Sequence, residues 1–290
     1  MSSEGFGGYL GGMTETSLSF RVRCAGLLLV VCGLAGGLRA QTTEAEIKAR
    51  LVGKPLYLRG FWANDKLKFD SSGSLTSKSP IGPFTLCGVE VSEVRVRPDE
   101  LTIEARRIGL EFQNKIPVRV PLNTSTTNDQ ADEKIQIQIA APVTGDYTTT
   151  LNAIFVDGLP DVVPLLPAYW QWYMNASLSG IPPPVHVVTF PYWERPKAVI
   201  GGILPPKISS QVEPAYTVEA RRLKYTADII LFLTVGTDGS VKDISLMRAA
   251  GLGLDERALA AVSQYKFKPA TENGTPVAVT LSIDVTFDIY

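Results

Sequence analysis

DIILFLTVGTDGSVKDISLM, residues 228–247, decides the fold of the C-terminal part of the chain. Residues 228–235 are apolar on both faces, which predicts a strand in the middle of a sheet or otherwise well covered. Thr237-Asp238-Gly239 is typical of a tight hairpin turn. Apolar and polar residues then alternate over 241–247, so we expect the returning strand of a β-hairpin.

A helix is predicted after the hairpin, following a glycine-rich break in the chain. Asp255 is placed to N-cap this helix, since its carboxylate can accept a backbone N–H of the first turn. Ala258, Val262 and Tyr265 follow the i, i+4, i+7 spacing of one helix face. Pro269 ends the helical stretch because it lacks a backbone N–H.

A long strand is predicted at the C-terminus, over residues 277–288, because apolar and polar residues alternate there without error. A short helix over residues 218–224 precedes the hairpin. The C-terminal part therefore has the order αββαβ, an antiparallel sheet packed on helices. The apolar face of the last strand consists of Val277, Val279, Leu281, Ile283, Val285 and Phe287.

The motifs of this part resemble the TonB C-terminal domain family over about residues 205–290. The resemblance rests on PAY…ARR from Pro214, VGTDGSV from Val235, GLDERA…YKFKPA from Gly253 and the NGTPV that follows, in the family's order and spacing. The chain departs from the family at Thr217 and Ala227, where the family often has Pro and Gly, and at Tyr265, where it usually has Trp. The residues that carry the structural motif are Gly239, Gly253, Leu254, Asp255, Ala258, Tyr265, Phe267 and Pro269.

The resemblance implies a role in periplasmic energy transduction for transmembrane transport. Proteins of this family couple an inner-membrane proton-driven motor, built of ExbB/ExbD-like proteins, to outer-membrane receptors that import scarce nutrients. Their C-terminal domain binds a short extended segment of a TonB-dependent receptor, the TonB box, as an added strand. The residues to which the resemblance and the strand pattern assign partner binding are Tyr216, Val277, Val279, Leu281, Ile283, Val285 and Phe287.

The last strand is the expected open edge of the C-terminal sheet. An edge strand presents unpaired N–H and C=O groups, so an added strand gains affinity with little demand on sequence. Asp284 and Asp288 on the outward face either take part in partner binding or protect the edge against self-association. The same edge would also allow a strand-paired homodimer.

The N-terminus carries the three parts of a secretory signal peptide. A basic flank precedes an apolar run from Ala25 to Leu38, and Ala40 offers a small residue for cleavage. The run is short for a spanning helix, which needs roughly 20 apolar residues. We expect residues 1–40 to be a signal peptide and the protein to be periplasmic after export. The alternative is an inner-membrane anchor through the same run, with the rest of the chain periplasmic.

Residues 44–195 are predicted to form a mostly β domain of unknown role, because several segments alternate with a period of two. Cys87 is the one cysteine beyond residue 40, and its apolar surroundings predict a buried, inert thiol. All four tryptophans lie in this domain. They form either an aromatic platform for a glycan or peptide or, as we favour, ordinary core packing.

Residues 182–214 are rich in proline and glycine, which predicts a semi-stiff connector between this domain and the TonB-like domain over 214–290. The whole chain is therefore expected to be α+β, with a mostly β N-terminal domain followed by the small C-terminal domain. The connector also contains His186, the single histidine of the chain.

Composition excludes two classes of protein. With 45% apolar and 20% charged residues, the chain is too apolar to be disordered throughout, and a net charge of -1 argues against nucleic acid as the partner. No sequence motif for a nucleophile, a nucleotide phosphate or a metal is present, so we expect no enzyme, no cofactor and no metal. The alternative function is an exported ligand-binding or structural envelope protein docked through its TonB-like domain.

Overall fold

The computed structural model describes residues 42–122, 134–180, 197–198 and 202–289. The predicted signal segment, His186 and the first part of the connector lie outside these residues. Among the described helices, none is long and apolar enough to cross a membrane. The described residues are mixed α+β, as the sequence predicts.

The described residues before 181 form a mostly β part with four helices. Its first helix begins with a capping box, in which the Thr43 hydroxyl accepts the backbone N–H of Glu46 and the Glu46 carboxylate accepts the backbone N–H of Thr43. The helices are α1 (Glu44–Leu51), α2 (Thr148–Ile154), α3 (Leu159–Val162) and α4 (Ala168–Ser179). The strands are β1 (Leu56–Leu58), β2 (Lys66–Phe69), β3 (Gly88–Val96), β4 (Glu100–Gln113), β5 (Ile116–Pro121), β6 (Lys134–Ala140) and β7 (Phe155–Asp157).

These strands form one sheet in the order β2-β6-β4-β3-β1-β7, with β5 paired to the second half of β4. β4 contributes to two hydrophobic cores, because its odd- and even-numbered side chains point to opposite faces. Leu101 and Ile103 pack with α1 and α2 on one face. Leu110 and Phe112, further along, pack on the other face with α4 and the C-terminal part.

The described residues from 197 onward form two helices and nine strands. The helices are α5 (Val218–Arg222) and α6 (Leu254–Val262). The strands are β8 (Lys197–Ala198), β9 (Ile203–Leu204), β10 (Lys207–Ser210), β11 (Ala227–Val235), β12 (Val241–Arg248), β13 (Lys266–Lys268), β14 (Ala270–Glu272), β15 (Thr275–Val277) and β16 (Val279–Phe287).

The C-terminal sheet has the order β12-β11-β16-β8, so β11 is central, as its apolar faces predict. Gly239 closes the turn between β11 and β12 with a φ of +75°, and a Cβ there would lie 1.9 Å from the carbonyl oxygen of Phe267. The predicted order αββαβ needs a correction, because the three short strands β13, β14 and β15 stand between α6 and β16. β13 pairs with β10, and β14 pairs with β9 and β15.

The prediction for α6 is wrong at both ends. Gly253, with a φ of +75°, is the N-cap residue. Asp255 lies inside the first turn, and its buried carboxylate accepts two backbone N–H groups of the preceding loop at 2.8 and 2.7 Å. Those N–H groups are buried and need an acceptor, which the carboxylate supplies. The helix ends at Val262, so Tyr265 lies beyond it, although its ring is buried in the same core.

The loop between β12 and α6 joins the C-terminal part to β4 through the backbone. We use the name joint for this backbone contact together with the α4 and α6 side chains that surround it. The N–H of Leu252 donates to the carbonyl of Leu110 at 2.9 Å, and the N–H of Phe112 donates to the carbonyl of Ala250 at 3.0 Å. The described residues on both sides of the joint share one hydrophobic core and belong to one compact unit.

Candidate functional site

β12 is one outer strand of the C-terminal sheet, and it is an irregular one. Its register with β11 shifts at two places, and Asp243 within it has a φ of +51°. Such irregularities twist an edge strand and interrupt its row of hydrogen-bonding groups. Just after the strand, the N–H of Ala249 donates to the Tyr173 hydroxyl of α4 at 3.2 Å. The β12 edge is therefore both interrupted and held by the N-terminal part.

β16 lies two strands away and is regular. It pairs with β11 at every position, from Val279 opposite Val235 to Phe287 opposite Ala227, without a register shift. On its other side β16 pairs with β8 at Val279 and Thr280. Within the part of the chain that the structure describes, no strand pairs with residues 281–287 on that side. We call these residues the outer edge of β16.

The apolar side chains of β16 face the core rather than solvent. Because they pack inward, they hold the strand in place, and a partner at this edge would meet mainly its backbone. This is the arrangement on which strand addition depends. Of the residues assigned to partner binding from the sequence, Val279, Val285 and Phe287 are buried, and Leu281 and Ile283 are partly buried against the same core.

Two further residues assigned to partner binding occupy different places. Tyr216 lies at the end of the outer edge, where its ring contacts the Phe287 ring edge-on with 5.2 Å between centroids. The Tyr216 hydroxyl donates to the carbonyl of Tyr225 at 3.3 Å, which fixes the ring against the sheet. Val277, by contrast, lies on β15 and not on β16, so the prediction of one unbroken strand over 277–288 is wrong at its start.

The polar face of the outer edge carries exposed acidic side chains. Asp284 is exposed, and so is Asp288 just beyond the strand. The neighbouring Thr286 hydroxyl donates to the carboxylate of Asp228 on β11 at 2.7 Å. Whatever pairs with this edge therefore meets apolar side chains on one face and negative charge on the other.

Two buried carboxyl groups lie at the joint. The indole Nε1 of Trp170 donates to Glu256 Oε1 at 2.8 Å, while Glu256 Oε2 has no hydrogen-bond partner among the described residues. Burial, together with the charge of the neighbouring Glu256, raises the pKa of Asp255 to about 8. Burial also raises the pKa of Glu256. Sequence reasoning missed the Trp170–Glu256 pair because the two residues are 86 positions apart and no local pattern connects them.

The tryptophan environments favour core packing over an aromatic platform. Trp170 is only 1% exposed and contacts the rings of Phe84 and Phe112, with centroid distances of 4.5 and 5.6 Å. Trp62 is partly buried against the second core, and Trp193 lies outside the described residues. Cys87 is buried, as predicted, and burial raises the pKa of its thiol to about 12, which makes it unreactive.

A second candidate site is a groove of about 610 Å³ on the polar face of the N-terminal sheet. Arg106 and Glu90 form an ion pair of 2.5 Å in it, and Glu104, Gln136 and Lys66 line the rest. Tryptophan and tyrosine are absent from its lining. Within the described ranges, no group of His, Cys, Asp and Glu side chains could hold a metal ion there or elsewhere.

Comparison with known proteins concerns the part of the chain that contains β16. Residues 212–289 match the family described as Gram-negative bacterial TonB protein C-terminal. Protein TonB of Vibrio cholerae serotype O1 (strain ATCC 39315 / El Tor Inaba N16961) is 30% identical over 86 residues, which cover 29% of this chain and 35% of that protein. The chain therefore spans about a third of the length of this curated relative. A solution NMR structure of the Pseudomonas aeruginosa TonB CTD is 15% identical, with a TM-score of 0.24, and the match covers 32% of this chain and 93% of that one.

Proposed function

We propose that the chain is an envelope protein that binds a TonB-dependent outer-membrane receptor and takes part in energy-coupled transport. The reason is that residues 212–289 are a TonB C-terminal domain. The receptor's TonB box adds as a strand to the outer edge of β16, beside Tyr216. ExbB/ExbD-like motor proteins are the second partner. The protein lies in the periplasm after export, either released at Ala40 or anchored through the apolar run that precedes it.

The observation that carries this proposal is the difference between the two outer strands of one sheet. β12 is interrupted and held at the joint, whereas β16 is regular and its outer edge is unpaired among the described residues. A partner that gains affinity from main-chain hydrogen bonds needs a regular row of free N–H and C=O groups. Within the C-terminal sheet, residues 281–287 supply such a row.

The test is a titration of the full chain with a synthetic TonB box peptide, followed by backbone amide hydrogen exchange. We expect the peptide to protect those amides of residues 281–287 that point away from β11, and to leave β12 unchanged, because an added strand hydrogen-bonds the edge that it joins. The matched control is the same peptide with alternate backbone amides N-methylated, which keeps the side chains and removes donors. Equal binding of both peptides, or protection at β12 instead, would contradict strand addition at β16.

The second candidate function is that of a ligand-binding envelope protein docked through the TonB domain. The groove over the N-terminal sheet favours it, because the Glu104 and Lys66 side chains line a concave surface and make no hydrogen bond or ion pair with the described residues. Charge reversal by Glu104→Lys should abolish binding of a groove ligand and leave the peptide affinity of β16 unchanged. If the protein acts through β16 alone, Glu104→Lys should leave receptor binding and energy-coupled transport unchanged.

A further inference from the structure

The connector already contributes a strand to the β16 edge. β8, residues Lys197–Ala198, runs parallel to β16, with Lys197 opposite Val279 and Ala198 opposite Thr280. β11 occupies the other side of β16 along its whole length. β8 therefore lies on the same side of β16 as the outer edge, and the outer edge begins where β8 ends.

Pairing with β8 uses main-chain groups that an added strand would otherwise use. A strand has two sides, and the N–H and C=O groups of successive residues point alternately to one side and to the other, so each side serves one neighbouring strand. While β8 is paired, Val279 and Thr280 are unavailable on that side, and the seat for a partner is limited to residues 281–287. A partner that pairs with the full strand, residues 279–287, has to displace β8.

An internal strand is an effective competitor even when its pairing is short. Because β8 belongs to the same chain, its local concentration at the edge is set by the connector and reaches the millimolar range for short tethers. A segment from another molecule also loses translational and rotational freedom on binding, which β8 does not. A two-residue pairing in the same chain can therefore compete with a longer strand from outside.

We infer that β8 competes with the incoming receptor segment for the β16 edge, so that the connector itself sets how readily the edge accepts a partner. This inference rests on the proposed function, since it concerns the same edge. It adds a regulatory element that the TonB domain proper, residues 212–289, does not contain.

The first test removes the competitor. In the full chain, the double variant Lys197→Pro/Ala198→Pro lacks both backbone N–H groups of β8 and cannot form the ladder. Each main-chain hydrogen bond contributes modestly, so we expect the TonB box peptide to bind about tenfold more tightly. The matched control, Lys197→Ser/Ala198→Ser, keeps both N–H groups and should retain the wild-type affinity.

The second test fixes the competitor in place. Ala198→Cys and Thr280→Cys replace two residues that are opposite in register, where a disulfide can form, in a chain that also carries Cys24→Ser and Cys32→Ser. Oxidation should weaken peptide binding about tenfold or more, and reduction should restore it. The remaining thiol, Cys87, is buried and does not interfere.

The outcomes separate the two proposals. If the peptide binds the wild-type chain at β16 but neither the prolines nor the disulfide changes its affinity by more than about twofold, the competition is overturned and strand addition stands. If the peptide binds none of the proteins, including the proline variant and the reduced form, the proposed function fails and the competition fails with it. Tighter binding to the proline variant together with weaker binding to the oxidised one supports both.

Discussion

β12 and β16 are both next to the central strand of the same sheet, yet they differ in what they can bind. β12 is interrupted by register shifts, and its end is held by α4. β16 is regular, is anchored by its inward side chains and is paired on its outer side at Val279 and Thr280. Position at the side of a sheet therefore does not by itself make a strand available. Regularity and freedom from neighbouring elements do.

The N-terminal part accounts for much of this difference. The joint connects the loop after β12 to β4 and α4, so that side of the TonB domain is fixed to the rest of the chain. β16 lies two strands away from β12 and makes none of these hydrogen bonds.

The largest effect is expected from Gly251→Ala in the joint. Gly251 has a φ of +93°, and a Cβ there would lie 2.0 Å from the carbonyl oxygen of Leu110 and 2.9 Å from Glu111 Cα. Both contacts are to backbone, which cannot move aside without opening the joint. We expect a loss of about 3–5 kcal/mol in the free energy of unfolding, measured by urea denaturation with tryptophan fluorescence.

Gly274→Ala is the matched control for that substitution. Gly274 has a similar φ of +82°, but among the described residues no atom beyond its chain neighbours lies within 4 Å of the position that a Cβ would take. It should therefore cost only the conformational strain of a left-handed residue, about 1–2 kcal/mol. Equal losses at Gly251 and Gly274 would mean that the joint does not constrain the loop after β12.

A smaller loss is expected from Trp170→Phe, which removes the donor to Glu256 and leaves a void beside Phe84. We expect a decrease of about 2–4 kcal/mol in the free energy of unfolding, followed by circular dichroism. A double-mutant cycle with Glu256→Leu, which removes the acceptor at similar size, isolates the hydrogen bond from the packing. A coupling energy of zero in that cycle would show that the indole contributes by packing alone.

The buried carboxyl pair should make the stability of the joint depend on pH. The pKa of Asp255 is raised to about 8 in the folded chain, so the folded state holds its proton more tightly than the unfolded state, whose carboxyl groups titrate near pH 4. Stability should therefore fall as the pH rises from about 4 to about 8.

Glu256→Gln tests this pH dependence, because glutamine keeps an acceptor for Trp170 and removes one charge from the pair. We expect the variant to be more stable than the wild type at pH 8 by about 1 kcal/mol, with a shallower slope between pH 4 and 8. Asp255→Asn provides the contrast, since its amide would face one of two N–H groups that need an acceptor, and it should destabilise at every pH. Identical slopes for the wild type and Glu256→Gln would exclude the pair as the cause.

Local patterns in the sequence were enough to predict the long elements of the TonB domain. The apolar run of β11, the turn at Gly239 and the alternation of β16 each depend on near neighbours, and the structure confirms them. The short strands β8, β9 and β10 were not predicted, because strands of two to four residues show no periodicity and their partners lie far along the chain. Proline and glycine around them pointed only to a connector.

The candidate site was predictable to a similar degree. The last strand was predicted to be the open edge of the C-terminal sheet because it is long and lies at the end of the chain. That the end of β12 is held could not be predicted, because it depends on a hydrogen bond from Ala249 to Tyr173, a residue of the N-terminal part. The role of Asp255 was misjudged for the same reason: a cap is a local feature, whereas a carboxylate that folds back on buried N–H groups is a tertiary one.

The smallest change in stability is expected from Asp284→Asn. This substitution also tests whether β16 and β12 differ in their tendency to self-associate. Asp284 is the middle residue of the outer edge, so antiparallel pairing of two copies through residues 281–287 would place the two Asp284 carboxylates opposite each other. Like charges directly opposite are unfavourable, and this residue would oppose self-association.

Asp284→Asn should leave the free energy of unfolding within about 0.5 kcal/mol of the wild type and should strengthen dimerisation several-fold in sedimentation velocity. Asp243→Asn on β12 is the matched control, because it removes the same charge from an exposed strand residue with a φ of +51°, a conformation that asparagine tolerates. Since β12 has no regular edge to expose, this control should stay monomeric. Dimerisation of both variants would reflect lower net charge alone. Dimerisation of neither would mean that Asp284 does not protect the edge, and would leave partner recognition as the remaining role for an acidic residue at its centre.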